Sequence, residues 1–269
     1  MALQKLVYWI AAMYLAVVFL GLSTAQVLNA ENVRAFGDDI NNSTNSLFLV
    51  LWILFTTGII LFLLRYKRGF DLVKLLEAVA LFSSSTIVLT ALAPAYWFEG
   101  MIFVLALVLY RHFNPSNILL KNSFAVLAAS GVAAVVGVSL GLVPILVFMV
   151  LLAVYDYIAV FKTKHMIVLA KKIQGSGLSM TAEIPTSKHS FQLGTGDLAI
   201  PVAAGISTTL FLSPIAGAMA FLGAFGGILW TITYVSSNVG KALPAIPPIT
   251  AGLLSGLALY YALSLALPL

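Results

Sequence analysis

Two aspartates stand inside long apolar stretches, where an ionisable side chain is unusual. Asp156 lies in the stretch LLAVYDYIAV (151–160), and Asp197 lies in LGTGDLAI (193–200). Placing a charged side chain at membrane depth costs roughly 2.5–3.5 kcal/mol on insertion scales, so an intramembrane acid is expected to serve a function. The alternative is a protonated aspartate that only hydrogen-bonds to a neighbouring helix.

Both aspartates belong to a chain with the composition of a membrane protein. Of its 269 residues, 61% are hydrophobic and 9% are charged, and the mean hydropathy is +1.07. A water-soluble domain carries roughly 25% charged residues, so most of this chain is expected to lie in lipid. Apolar runs of roughly 20 residues predict nine transmembrane helices. The predicted spans are 6–28, 47–64, 75–92, 95–110, 124–142, 143–161, 191–212, 214–235 and 246–267.

These spans predict an all-α, polytopic membrane protein with a single membrane domain over residues 1–269. Spans one to six occupy about 6–161, a cytoplasmic loop about 162–190, and spans seven to nine about 191–267. Every Lys and Arg except Arg34 falls on one side of the predicted membrane. By the positive-inside rule, the N-terminus is cytoplasmic and the C-terminus is outside. The formal charge of +5 therefore reflects topology, and no nucleic-acid partner is expected.

The two aspartates are predicted to lie at the same depth on consecutive antiparallel helices. Each is six residues from the cytoplasmic end of its span, which is about 9 Å at 1.5 Å per residue. The other seven carboxylates, Glu77 and Glu183 among them, are assigned to loops or span ends, and so are all three histidines. Two close carboxylates in low dielectric share one proton, as in an aspartic-protease dyad. One could take a proton from water while the other donates to the developing oxyanion, with no metal or cofactor.

Glycines and prolines surround the two acids. Gly194 and Gly196 precede Asp197 and permit either a close helix contact or a locally unwound turn; packing alone is the alternative. Pro244, Pro247 and Pro248 cluster near the ninth span and are not expected to form an ordinary helical turn. Irregular backbone at membrane depth must face protein or water, so this run is expected to border the site unless it is a plain loop.

Three short motifs resemble the signatures of the GxGD intramembrane aspartyl proteases, the presenilins and signal peptide peptidases. They are Tyr155-Asp156, the Gly194-Thr195-Gly196-Asp197 sequence, and Pro244-Ala245-Ile246-Pro247. The resemblance implies that Asp156 and Asp197 are catalytic. It also implies that residues 244–246 form the PAL-type element near the active site, with Ile246 where the family has Leu. Thr195 fills the x position of GxGD, which is thought to influence substrate preference in the family.

Within this family, the predicted cytoplasmic N-terminus favours the presenilin branch and a microbial homologue. The resemblance implies single-pass transmembrane substrates with their N-termini outside, cleaved in a cell membrane by a multi-pass protein without obligate accessory subunits. Three glycine pairs with small-xxx-small spacing indicate helix packing or, alternatively, a homo-oligomer contact. They are Gly137/Gly141, Gly223/Gly227 and Gly252/Gly256.

A transporter is the alternative function, and a strand-forming segment is a candidate for substrate binding. A proton- or cation-coupled transporter would also use buried acids, but such folds usually carry paired repeats, whereas here the acids and prolines lie in the second half. The sequence contains no HExxH motif and no intramembrane histidine, which disfavours zinc and serine proteases.

Residues 181–188 are expected to be extended and to pair with an unwound substrate by strand addition.

Overall fold

The computed structural model describes residues 2–37, 39–66, 69–163, 181–185, 190–238 and 243–266. Within these ranges the chain forms nine α-helices, one 3₁₀ turn at Pro94–Tyr96, one π-helical turn at Ile158–Lys162 and one β-hairpin. The helices are α1 Ala2–Ala30, α2 Thr44–Leu63, α3 Gly69–Leu92, α4 Trp97–Phe113, α5 Ile118–Ser139, α6 Leu142–Tyr157, α7 Thr195–Phe211, α8 Pro214–Ser237 and α9 Ile246–Ala266. The strands are β1 Thr181–Pro185 and β2 Ser190–Gly194.

The helices overlap the predicted spans, although α3 and α5 each begin six residues earlier than predicted, and the structure is an all-α polytopic membrane protein. Among the described residues, eight helices are long and apolar enough to cross a membrane. The two longest apolar runs fold back where predicted, at Gly141 before α6 and at Ser213 before α8. Ser213 caps α8 by accepting a hydrogen bond from the Ala216 N–H at 3.0 Å, and Pro214 follows at the first helical position.

The seventh span begins later than predicted. The sequence prediction placed its start at residue 191, but residues Ser190–Gly194 form strand β2, and α7 begins at Thr195 and has 17 residues. The reason is that β2 pairs antiparallel with β1, from Thr181 opposite Gly194 to Pro185 opposite Ser190. Asp197 is therefore the third residue of its helix rather than the seventh, so the helical rise from residue 191, on which its predicted depth of about 9 Å rests, does not apply.

Helix α7 forms the centre of the protein. Its residues Leu198, Val202, Ala203 and Ile206 are almost fully buried, and α1, α5, α6 and α8 all pack around it. Helix α2, in contrast, exposes most of its large side chains at the periphery, including an aromatic row. The element that carries Asp197 is thus held on several sides by neighbouring helices.

The small-xxx-small glycines pack inside this chain. A Cβ atom on Gly223 would overlap the Gly252 carbonyl oxygen, and one on Gly256 would overlap the Met219 carbonyl oxygen. Helices α8 and α9 are therefore in backbone contact along this glycine seam. A Cβ on Gly137 would lie 2.7 Å from Ile206 Cγ2 and 2.8 Å from the Ala203 carbonyl oxygen, so α5 also packs closely against α7.

A buried ion pair corrects one prediction about the carboxylates. Glu77 was expected at a span end, but it lies in the third turn of α3, and its side chain is 5% exposed. Its Oε1 accepts from Arg111 Nη2 of α4 at 2.8 Å, and Arg111 also lies over the Phe124 ring. Because the guanidinium neutralises this carboxylate, Glu77 serves the α3–α4 contact.

Several sequence predictions lie partly outside the described residues. They are the predicted loop 162–190, of which 164–180 and 186–189 are not described, the strand-addition segment beyond Pro185, and the last residue of the ninth span. Seven of the basic residues used for the topology prediction also lie outside the described ranges: Lys67, Arg68, Lys164, Lys171, Lys172, Lys188 and Lys241.

Candidate active site

Asp197 lies in the first turn of α7, directly after strand β2. Gly194 ends the strand and caps the helix with extended backbone, at φ −60° and ψ 137°. The Gly194 N–H donates a hydrogen bond to the Asp197 carboxylate. In this capping geometry, the side chain of the third helical residue accepts from the backbone N–H of the N-cap residue. The helix dipole also favours a carboxylate in the first turn of a helix. The strand-to-helix junction therefore positions Asp197.

The two glycines of the GxGD sequence face different surroundings. A Cβ on Gly194 would lie 3.0 Å from Asp197 Oδ2, so this position leaves little room for a side chain. A Cβ on Gly196 would meet only Ile200 Cδ1, at 3.8 Å, and Gly196 is exposed. Gly194 thus makes room for the carboxylate, whereas Gly196 keeps one side of the turn open.

This difference predicts unequal effects of alanine at the two glycines. Gly194→Ala is expected to displace the Asp197 carboxylate and lower kcat about tenfold, because small misplacements of reacting groups are costly. Gly196→Ala is expected to keep kcat on a short peptide substrate within about twofold, because its methyl group meets no backbone. Steady-state kinetics of the two variants test the expectation. Equal kcat losses would show that Gly194 has no special role.

Asp156 lies in the last α-helical turn of α6, just before the π-helical turn. Its Oδ2 accepts a hydrogen bond from the Ile246 N–H at 3.0 Å, and the Ala245 N–H also donates to this carboxylate. Ile246 is the first residue of α9, so the carboxylate of Asp156 caps the N-terminus of a neighbouring helix. Asp156 and Asp197 are thus both held at helix N-termini.

The prolines near the ninth span are arranged differently from the prediction. Pro247 and Pro248 were not expected in an ordinary helical turn, but both lie in the first turn of α9, where a missing N–H costs nothing. Only the residues before Ile246 are irregular, and Pro244 among them is buried. With two of the first N–H donors absent, the Ile246 N–H is one of the few that α9 can offer, and it binds Asp156.

The two carboxyl groups are close enough for their charges to interact. Both residues are partly buried. The ion pairs formed in the described part of the chain are Glu77–Arg111 and Lys121–Glu183, so neither aspartate has a cationic partner there. The described part of the chain also contains no group of three His, Cys, Asp or Glu side chains that could hold a metal ion. The site therefore offers two interacting acids and backbone donors.

Tyr155, next to Asp156, links α6 to α2. Its hydroxyl forms a hydrogen bond with Thr57, and Thr57 Oγ1 donates to the Ile53 carbonyl at 2.8 Å. The tyrosine of the YD motif thus links α6 to α2.

Two cavities flank the motifs. One, of about 250 Å³, lies between α3, α5 and α7 and is lined by Thr195, Gly196 and Ala199. The other, of about 610 Å³, lies between α6, α8 and α9 and is lined by Pro244 and Pro247. The GxGD and PAL-type motifs each therefore border open space as well as an aspartate.

The hairpin is fixed to α5 by residues that the sequence analysis did not single out. Asn122 Nδ2 donates to the Glu183 carbonyl at 2.7 Å, and Asn122 Oδ1 accepts from the Glu183 N–H at 2.8 Å. Lys121 Nζ donates to Glu183 Oε2 at 2.6 Å. The only sequence signal was a polar Lys-Asn-Ser run before an apolar span, which is common at membrane interfaces.

Comparisons with known proteins identify a family and two similar folds. A family model described as "Signal-peptide peptidase, presenilin aspartyl protease" matches residues 11–192. Two solved structures, both of a presenilin family intramembrane aspartate protease, resemble the fold. The C222 crystal form gives a TM-score of 0.69 at 24% identity and covers 94% of this chain and 98% of that chain. The P2 form gives 0.67 at 26% identity, covering 94% and 97%. No curated protein matches the chain.

Fold and comparisons together define the class of the protein, which is an intramembrane aspartyl protease. The chain belongs to the signal-peptide peptidase and presenilin aspartyl protease family. It is an integral membrane protein, and the transporter alternative has no support, since the matching family and structures are proteases.

Proposed function

We propose that Asp156 and Asp197 are the catalytic residues that hydrolyse peptide bonds within transmembrane substrates. The observation that carries this proposal is that the two carboxylates interact with each other while each is held by backbone N–H groups at a helix N-terminus. Backbone donors orient a carboxylate without placing a counter-charge beside it, so the pair can still take up and release a proton.

In this mechanism the dyad holds one proton between two carboxyl groups. The ionised aspartate takes a proton from water as the water oxygen attacks the scissile carbonyl carbon. The protonated partner donates its proton to the carbonyl oxygen, which gives a neutral gem-diol. The newly protonated aspartate then gives its proton to the amide nitrogen while its ionised partner takes a proton from a gem-diol hydroxyl. The C–N bond breaks, and the products leave as an amine and a carboxylic acid. No covalent intermediate, metal or cofactor takes part.

The motif residues around the dyad position the two aspartates and contact the substrate. Pro244, Ala245, Ile246 and Pro247 present the α9 N–H groups to Asp156, and Tyr155 holds α6 against α2. Gly194 makes room for the Asp197 carboxylate. Thr195, which lines the smaller cavity together with Gly196, contacts a substrate side chain next to the scissile bond.

The substrate segment to be cleaved binds as an extended strand along β2. A helix hides its own carbonyl groups, so it must unwind before water can attack them, and strand addition supplies partners for the freed groups. The sequence hypothesis assigned this pairing to 181–188, but at Glu183 the outer edge of β1 already binds Asn122. In the described residues no strand lies beyond β2, so its outer edge is the better docking site.

The alternation of an antiparallel pair supports this choice of edge. Glu183 turns its N–H and C=O away from β2, so Gln192 directly opposite turns its own groups away from β1. Gly194, two residues further, points the same way, and its N–H already donates to Asp197. A substrate strand on this edge is therefore guided towards the carboxylate.

The remaining parts of the proposal concern topology and partners. The nine helices form nine spans of one membrane domain, with a cytoplasmic N-terminus and an external C-terminus, in the cell membrane. The distribution of Lys and Arg supports this orientation. Substrates are single-pass proteins with external N-termini, and the chain acts without obligate accessory subunits, as a monomer or a homo-oligomer.

Reconstitution into liposomes tests the function directly. The purified chain and a fluorescently labelled single-pass substrate are placed in the same vesicles, and a proton-sensitive dye is enclosed. We expect peptide products cut within the transmembrane segment, identified by mass spectrometry, and no pH-driven flux above that of empty vesicles. A pH-driven flux without peptide products would contradict the proposal and would support the transporter alternative.

A further inference from the structure

The side chain of Asn122 imitates a neighbouring β-strand. Its carboxamide exchanges two hydrogen bonds with the backbone of one residue, Glu183, at 2.7 and 2.8 Å. In an antiparallel sheet, two directly opposed residues exchange the same pair of N–H···O bonds. The amide of Asn122 offers one donor and one acceptor in that arrangement, so it occupies the outer edge of β1 at this point.

Further contacts fix β1 to α5 around this pair of bonds. Lys121 and Glu183 form an ion pair at 2.6 Å, with side chains that are 11% and 21% exposed. Ala182 and Ile184, which flank Glu183, are almost completely buried. The hairpin is therefore held along β1 by a helix, and its other side, the outer edge of β2, faces away from α5.

A hairpin with two open edges could bind a substrate strand in two ways, but only one is productive. A strand paired with β1 would lie on the side away from the Gly194 N–H that binds Asp197. Exposed strand edges also pair readily with other chains. Filling the β1 edge with a side chain leaves one edge for pairing, and that edge is continuous with α7.

We propose that Asn122 is a positioning residue for substrate binding. It closes the outer edge of β1 and orients the hairpin so that an extended segment of the transmembrane substrate pairs with β2 beside Asp197. This inference rests on the proposed function, because it assumes that the substrate is cleaved as a strand at the dyad. Lys121 supports the same contact through Glu183.

The variant Asn122→Leu, which is close in size but lacks both hydrogen-bonding groups, tests the inference. We expect kcat/KM for a transmembrane substrate to fall about tenfold, mainly through KM, because the hairpin loses its fixed edge. Affinity for a hydroxyl-containing transition-state isostere that spans only the dyad is expected to stay unchanged.

Asn122→Asp keeps the acceptor but not the donor, and an intermediate loss of kcat/KM is expected. Asn114→Leu makes the same change at an exposed helix end, and unchanged kinetics are expected.

Disulfide cross-linking supplies a readout that a merely structural role would not change. The chain contains no cysteine, so Gln192→Cys places a single thiol on β2. With a substrate carrying one cysteine near its scissile bond, we expect efficient cross-linking, reduced about fivefold by Asn122→Leu. Unchanged KM and cross-linking in both Asn122 variants would overturn the inference, as would an equal loss of isostere affinity. If the wild-type chain produces no peptide fragments, the proposed function itself fails.

Discussion

Asp156→Asn and Asp197→Asn, each alone, are expected to reduce cleavage of a transmembrane substrate by about 1,000-fold or more. Asparagine can neither take a proton from water nor hold the proton that the oxyanion needs, and general acid–base catalysis supplies about 10²–10⁴-fold. The amide oxygen at position 156 can still accept from the Ile246 N–H, so the surrounding structure should persist. Product formation in detergent or liposomes measures the effect.

The control for this prediction is Asp71→Asn, the same change at an exposed position in the first turn of α3. It is expected to keep activity within about twofold, because Asp71 is exposed and belongs to none of the three motifs. Both dyad variants should unfold at the same or a higher temperature than wild type, since each removes one of two interacting buried acids. Cleavage at wild-type rate in either folded dyad variant would exclude that aspartate from catalysis.

Gln192→Pro is expected to lower kcat/KM for a transmembrane substrate on the order of 100-fold. Proline removes the N–H on the outer edge of β2 and places its ring where a substrate strand must approach. A substrate carbonyl would then remain without a partner, which costs about 1–3 kcal/mol. Because the lost N–H points away from β1, the hairpin itself should tolerate the change, as edge strands do.

Gln192→Ala is the matched control, since it removes the exposed side chain and retains the backbone N–H. Its kinetics on the same substrate should stay close to those of wild type. The affinity of both variants for a transition-state isostere spanning only the dyad reports whether the active site is intact. If proline and alanine at this position behaved alike, substrate pairing along β2 would be excluded.

The helices and the two aspartates could be predicted from the sequence because each leaves a local signal. Apolar runs near 20 residues give spans, and Asp156 and Asp197 interrupt such runs. Their interaction was predicted from equal depth on consecutive helices, and in the structure their charges interact although Asp197 is the third residue of its helix rather than the seventh.

The errors arose where a tertiary contact decides the local structure. Ser190–Gly194 is apolar enough to continue a span, but pairing with β1 makes it a strand. Glu77 was assigned to a span end because the third span was predicted to begin at residue 75, whereas α3 begins at Gly69, and its partner Arg111 lies 34 residues away. The partnership of Asn122 with Glu183 bridges 61 residues, and no pattern near either residue indicates it.

The backbone contact between α8 and α9 has a consequence for how the dyad can adjust to different peptides. At the glycine seam neither helix can move closer to the other without main-chain overlap, so we expect α8 and α9 to move together. The Ile246 N–H, which binds Asp156, then keeps its place relative to α8. We therefore expect the dyad to adjust to different peptides through movements of α6 or of the hairpin.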